Sequence, residues 1–129
     1  MLEINQGIVC NIIKKAREIN MADDLALPEE RDDLSDAEWK QALAEYQDDL
    51  SYLELKDLIN ELEPDQQEDI IALMYIGRGD YTKNEWKAAR QQARTIKSTS
   101  RADYLISKNM LADYLSEGLV TIGCNACDE

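Results

Sequence analysis

Apolar residues recur along this chain with a helical period, and alternating strand patterns are scarce. Ile4, Ile8, Ile12 and Ile19, with Val9, Ile13 and Ala16, fall on one helical stripe, and Asn5 stands where an N-cap would. From Ala22 to Asp33 the pattern breaks. The acids there, around Leu25-Ala26-Leu27-Pro28, read as an exposed connector. Three boxes with Ser or Thr three residues before Glu then mark helix starts. Ser35 with Glu38 precedes Trp39, Leu43 and Tyr46; Ser51 with Glu54 precedes Leu55, Leu58, Ile59 and Leu62; Thr82 with Glu85 precedes Trp86, Ala89, Ala93 and Ile96. In each box the hydroxyl accepts a bond from the third helical N–H and the Glu returns to the cap's own N–H.

Between the last two boxes, Pro64 occupies a first helical position, with Asp65 and Glu68 favourably placed in the first turn. The helix it opens carries Ile70, Ile71, Leu73, Met74 and Ile76, and is expected to be central. Gly77-Arg78-Gly79 is expected to end it through positive φ. Ser98 to Ser100 interrupts the next helix. Two short helices follow, around Tyr104-Leu105-Ile106 and from Leu111 to Glu117, with Gly118 as the expected stop and 123–129 as a tail. The tetrapeptide Ala-Asp-Tyr-Leu occurs at 102–105 and again at 112–115 without longer self-similarity, so it does not mark a solenoid. The expected architecture is all-α, a single domain over residues 1–129 built as a compact bundle of six or seven helices with partly orthogonal packing. In it, Trp86, Tyr104, Leu105, Tyr114, Leu115 and Leu119 pack on the 64–77 helix.

Composition sharpens this. With 129 residues the chain can bury a core without disulfides. Phe is absent, so the core must be aliphatic, with Tyr and Trp as its large pieces. A formal charge of −13 favours solubility and disfavours nucleic acid and anionic membranes as partners. The N-terminus lacks the basic and apolar regions of a signal peptide, and no apolar run approaches a membrane span. The three cysteines, an odd number, suggest a reducing compartment, and the expectation is a cytoplasmic protein. The absence of His removes Ser-His-Asp and Cys-His catalysis and His-ligated metal sites.

The most informative charge pattern is local. Lys83, Lys87, Arg90, Arg94, Lys97 and Arg101 are spaced 4, 3, 4, 3, 4, which on one continuous helix makes a basic ridge. Arg78 to Arg101 holds seven basic and two acidic residues, a local +5 in a chain of −13. The ridge either pairs internally with acids from segments 23–38 or 54–69, or docks an acidic peptide, a phosphate or a second copy of the chain. For a symmetric dimer, segment 23–38 could supply the acidic face.

Other motifs carry less. Gly79 to Glu85 looks like half of a calcium loop, but alignment on its glycine puts Met74, Ile76 and Arg78 at ligand positions. Arg78-Gly79-Asp80 is read as a C-cap. Cys124 and Cys127 form a lone C-x-x-C with no second pair. They are read as an incidental tail, with zinc shared across a dimer, Cys10 as a third ligand, or a redox pair as alternatives. The acid pairs are read as solvated. No nucleotide, kinase or hydrolase motif is present, so no cofactor and no catalytic residue is expected. A small-molecule site near Gly77–Tyr81, lined by Arg78, Asp80, Tyr81 and Tyr114, is the enzymatic alternative.

The run Leu73 to Asp80, followed by Trp86 and Ala89, and then Tyr104-Leu105 with Leu111 to Leu119, resembles a bacterial family of small proteins known as a domain of unknown function. The resemblance covers about residues 50 to 123. Where the family carries a proline before the last segment, this chain has Asn109 or Met110. The resemblance implies a bacterial, cytoplasmic, helical protein and no particular activity. The sequence therefore favours a non-catalytic helical module that binds another protein, or itself, through the basic ridge and the Gly77–Tyr81 loop.

Overall fold

In the computed structural model of the chain, residues 5–22, 50–108 and 110–124 are described. Among them lie six α-helices: α1 (Gln6–Ala22), α2 (Leu50–Asn60), α3 (Pro64–Arg78), α4 (Trp86–Arg94), α5 (Arg101–Ile106) and α6 (Leu111–Thr121). One 3₁₀ turn, Lys83–Glu85, leads into α4 and another, Ser98–Ser100, into α5. The described residues form no strand. The fold is all-α, as the periodicity required. The connector after Ala22, the Ser35 box and its helix, and the chain beyond Cys124 lie outside the described residues.

The sequence signals act where local chemistry suffices. The Asn5 side chain accepts a bond from the Gly7 N–H at 2.6 Å, so α1 starts as expected. Its Val9, Ile12, Ile13 and Ala16 are buried at the spacing of one helical face. Pro64 is the first residue of α3, and the Glu63 N–H donates to Gln66 Oε1 at 2.9 Å. At the other end of α3, Gly79 has φ 94°. Its N–H reaches the Ile76 carbonyl at 3.1 Å and the Asp80 N–H reaches the Tyr75 carbonyl at 2.9 Å. These two bonds make a Schellman cap. The Thr82 N–H donates to Glu85 Oε1 at 2.8 Å, so the third box operates, but it opens a 3₁₀ turn before α4.

α3 is central. Every residue from Gln67 to Ile76 is buried, the mark of a helix enclosed on all sides. It packs chiefly against α6 and α4, while α1 packs on α6 and α2, and α2 on α5. Ala89 and Ala93, both fully buried, give α4 a flat face against α3. Tyr104, Leu105, Leu115 and Leu119 are buried in the same core, and Trp86 and Tyr114 pack against it half-buried.

Four expectations need correction. Ser51 lies inside α2, which already includes Leu50, rather than ahead of it, and Glu54 approaches Lys15 of α1 at 3.6 Å. Gly77 does not end α3 and Gly118 does not stop α6, for both lie inside their helices. The reason is a close crossing. A Cβ on Gly77 would stand 1.7 Å from the Tyr114 carbonyl oxygen, and one on Gly118 would stand 2.5 Å from the Leu73 carbonyl oxygen. The two glycines let the backbones of α3 and α6 touch, and nothing in the local sequence distinguishes that role from a stop. Finally, the basic ridge does not run along one helix. α4 ends at Arg94, where the Thr95 hydroxyl donates to the Gln92 carbonyl at 2.6 Å. Lys83 therefore lies in the 3₁₀ turn, Lys97 in the connector and Arg101 at the start of α5.

Candidate functional site

Two polar regions flank α4. The first is formed by arginines converging on α3. Glu68 receives Arg90 Nη2 at 3.1 Å and Arg94 Nε at 3.0 Å, with Arg101 Nη2 at 3.7 Å from its other oxygen. Arg90 Nε lies 3.0 Å from Oδ1 of the fully buried Asp69, a charge contact whose N–H is not aligned for a hydrogen bond. The guanidinium groups also bond backbone carbonyls. Arg90 donates to Asp65, and Arg101 to Pro64 and Ile96, each at 3.1 Å. Three arginines thus meet two carboxylates at the first turns of α3. A buried charge survives only when paired and hydrogen-bonded, and the arginines provide both for Glu68. Arg90 and Arg101 are committed to the fold; Arg94 keeps a side chain 56% exposed. Lys83, Lys87 and Lys97 are exposed.

The second region is a pocket of 490 Å³ beside the C-terminal end of α3, within the range of small-molecule sites. Tyr75, Tyr81, Tyr104 and Asp80 line it, joined by Gln92, Thr95 and Ile96 from the end of α4. Tyr75 and Tyr104 are buried, and their hydroxyls lie 3.0 Å apart in a hydrogen bond that fixes both rings. The Tyr81 ring stands 5.9 Å from the Tyr75 ring, tilted by 53°. The Schellman cap sets the direction of the chain at Asp80, and Arg78 holds the carboxylate with Nε 2.9 Å from Oδ2.

Of the residues that the sequence nominated for a pocket, Asp80 and Tyr81 line it. Arg78 stands next to it as the ion-pair partner of Asp80. Tyr114 is not among the lining residues; its backbone carbonyl faces Gly77. Tyr75, Gln92, Thr95, Ile96 and Tyr104 were missed. They stand in three separate stretches of chain, and the one sequence hint was the scarcity of large aromatics, which makes each Tyr in a Phe-free chain worth locating.

A third polar knot joins α2 to α5. The Tyr52 hydroxyl donates to Asp103 Oδ1 at 2.6 Å and Lys56 Nζ to Asp103 Oδ2 at 3.3 Å. Burial, then the bond and charge of Asp103, hold the Tyr52 phenol well above its ordinary pKa of 10.0.

Cys10 is disulfide-bonded in this structure, so it does not stand as a third zinc ligand. Cys124 is a half-buried free thiol, and Cys127 lies outside the described residues. Among the described residues no three Cys, Asp or Glu side chains gather as a metal site, and no helix is long and apolar enough to cross a membrane.

The chain is thus an all-α protein with one helix enclosed by the others and a tyrosine-lined pocket at that helix's end. It belongs to the family described as "Protein of unknown function (DUF3775)", whose profile matches residues 52–124. That span holds α3 to α6 complete, the arginine cluster and the whole pocket. No curated protein and no solved structure matches the chain.

Proposed function

We propose that this protein is a non-catalytic binding module and that its pocket at the end of α3 holds a small polar molecule. One observation carries the reading: the buried Tyr75–Tyr104 hydroxyl pair fixes two aromatic rings in the wall of a 490 Å³ cavity that also presents Asp80, Tyr81 and Gln92. Rings locked by a mutual hydrogen bond give a preformed wall, and preformation lowers the entropic cost of taking a ligand. The pocket also falls wholly inside the span that defines the family. The test is a fragment screen by NMR on the whole chain. Hits should perturb Tyr81, Gln92 and Thr95 together, and Ile96→Trp, which adds bulk to the lining, should abolish them with the fold intact. Hits scattered over other surfaces, or none, would reject the pocket.

A second reading has its own support. Lys83 and Lys87 are exposed four residues apart while Arg90 and Arg101 turn into the fold, leaving a short basic edge on an acidic protein. This edge suits an acidic peptide or a second copy of the chain. Lys83→Glu with Lys87→Glu should leave melting unchanged and remove any partner recovered from native cells at low salt. Recovery of the same proteins by the variant would end this reading.

A further inference from the structure

We infer that the ligand of the pocket is a small organic cation, an ammonium head group held by Asp80 Oδ1 and the face of Tyr81. This inference rests on the binding reading above and adds the chemistry of the ligand.

The charge of the wall points this way. Among the described residues, Asp80 is the one formally charged side chain lining the pocket, and no Lys or Arg lines it. Both bonds from Arg78 fall on Oδ2. Oδ1 accepts none among the described residues, and the Asp80 side chain is 41% exposed. One carboxylate oxygen is therefore engaged and its neighbour is open to a positively charged group. An anion would meet this oxygen and the field of a chain of formal charge −13. A neutral apolar molecule would strip water from the oxygen and return nothing. A cation gains on both counts.

The aromatic residues repeat the argument independently. The cluster already gathers cations of the protein itself: the Arg78 guanidinium lies 5.7 Å from the centre of the Tyr75 ring, and Lys108 Nζ 4.3 Å from that of Tyr104. These are the separations at which the ring quadrupole attracts positive charge. Tyr81, the third ring, is half-buried in the same wall and carries no cation among the described residues. It is the ring left for a visitor. The Gln92 side chain, which makes no hydrogen bond among the described residues, can meet a hydroxyl or amide attached to the ammonium. Arg78 is not among the residues lining the pocket, and it meets Asp80 through Oδ2, which leaves Oδ1 to the pocket side of the carboxylate's bonding.

The test compares choline with its neutral carbon isostere, neohexyl alcohol, which has the same shape without the charge. Both are titrated into the whole chain by NMR. Choline should perturb Asp80, Tyr81 and Gln92 and bind at least about tenfold more tightly than the alcohol, a difference of about 1.4 kcal/mol. Asp80→Asn and, separately, Tyr81→Leu should each remove that preference with melting retained, whereas Lys83→Gln, outside the wall, should preserve it. Equal binding of the two probes would overturn the cation and leave the pocket standing. Binding of choline at other residues, or of neither probe, would also overturn it; if the fragment screen is silent too, the binding reading falls with it.

Discussion

The same four residues, Ala-Asp-Tyr-Leu, build part of α5 at 102–105 and part of α6 at 112–115. In the first copy all four residues are buried. Asp103 accepts the Tyr52 hydroxyl and Lys56, and Tyr104 bonds Tyr75 in the pocket wall. In the second copy Ala112 and Leu115 are buried, but Asp113 is exposed and Tyr114 is half-buried. There the decisive atom is the Tyr114 backbone carbonyl, against which Gly77 packs. Identical side chains thus do opposite work. In α5 Asp103 ties the helix to α2 and Tyr104 ties it to α3, while in α6 Asp113 faces outward and the Tyr114 backbone makes the close contact. Both copies prefer helix. The neighbour differs, because α5 is a six-residue helix buried throughout and α6 is a longer helix with one open face.

The comparison can be broken most severely at the second copy's backbone. Gly77→Ala should cost about 3 kcal/mol, because its methyl meets a carbonyl of another helix that cannot swing aside. Gly118→Ala should cost a similar amount, and Gly79→Ala less, since it strains φ but meets no atom within 4 Å. Thermal melts of the three variants give the order, and equal melting for Gly77→Ala and wild type would refute the close crossing.

A smaller effect separates the two aspartates. Asp103→Ala leaves the buried Tyr52 hydroxyl without its acceptor and should cost about 2 kcal/mol. Asp113→Ala, on the exposed face, should stay within about 0.5 kcal/mol of wild type by urea unfolding. If both cost the same, the two copies are energetically alike and the contrast fails.

The finest test uses pH. Because the Tyr52 pKa is raised in the folded state from 10.0, the folded chain keeps a proton that the unfolded chain has lost. Its contribution is fully present below the ordinary tyrosine value and declines as pH rises beyond it. The stability advantage of wild type over Tyr52→Phe should therefore be flat from neutral pH to the ordinary tyrosine value. Above that value it should shrink by up to about 1.4 kcal/mol per pH unit. A constant difference across that range would show that Tyr52 titrates alike in both states.

Much of the helical layout was legible from local chemistry. Asn5, Pro64, Gly79 and Thr82 act within a few residues of their own positions, and a cap or positive φ needs no distant partner. The stripe Val9, Ile12, Ile13, Ala16 and the apolar run from Ile70 to Ile76 announced which faces would be buried. Two of the seven described lining residues were legible for the same reason, since Asp80 and Tyr81 follow directly from the end of α3.

What the sequence by itself determined, then, is the all-α class, the central place of α3, and the presence of both an arginine-rich stretch and an acidic remainder. Tertiary structure alone decided which charges met. The spacing of Lys83 to Arg101 described a ridge, but α4 ends at Arg94 and Glu68 draws in Arg90, Arg94 and Arg101 from across a helix boundary. It also decided that Gly77 and Gly118 serve a crossing, and that Tyr75 and Tyr104, 29 positions apart, share a hydrogen bond in the pocket wall. Helix formation is set by contacts within four residues. A site is set by contacts whose partners are close only after the helices have packed.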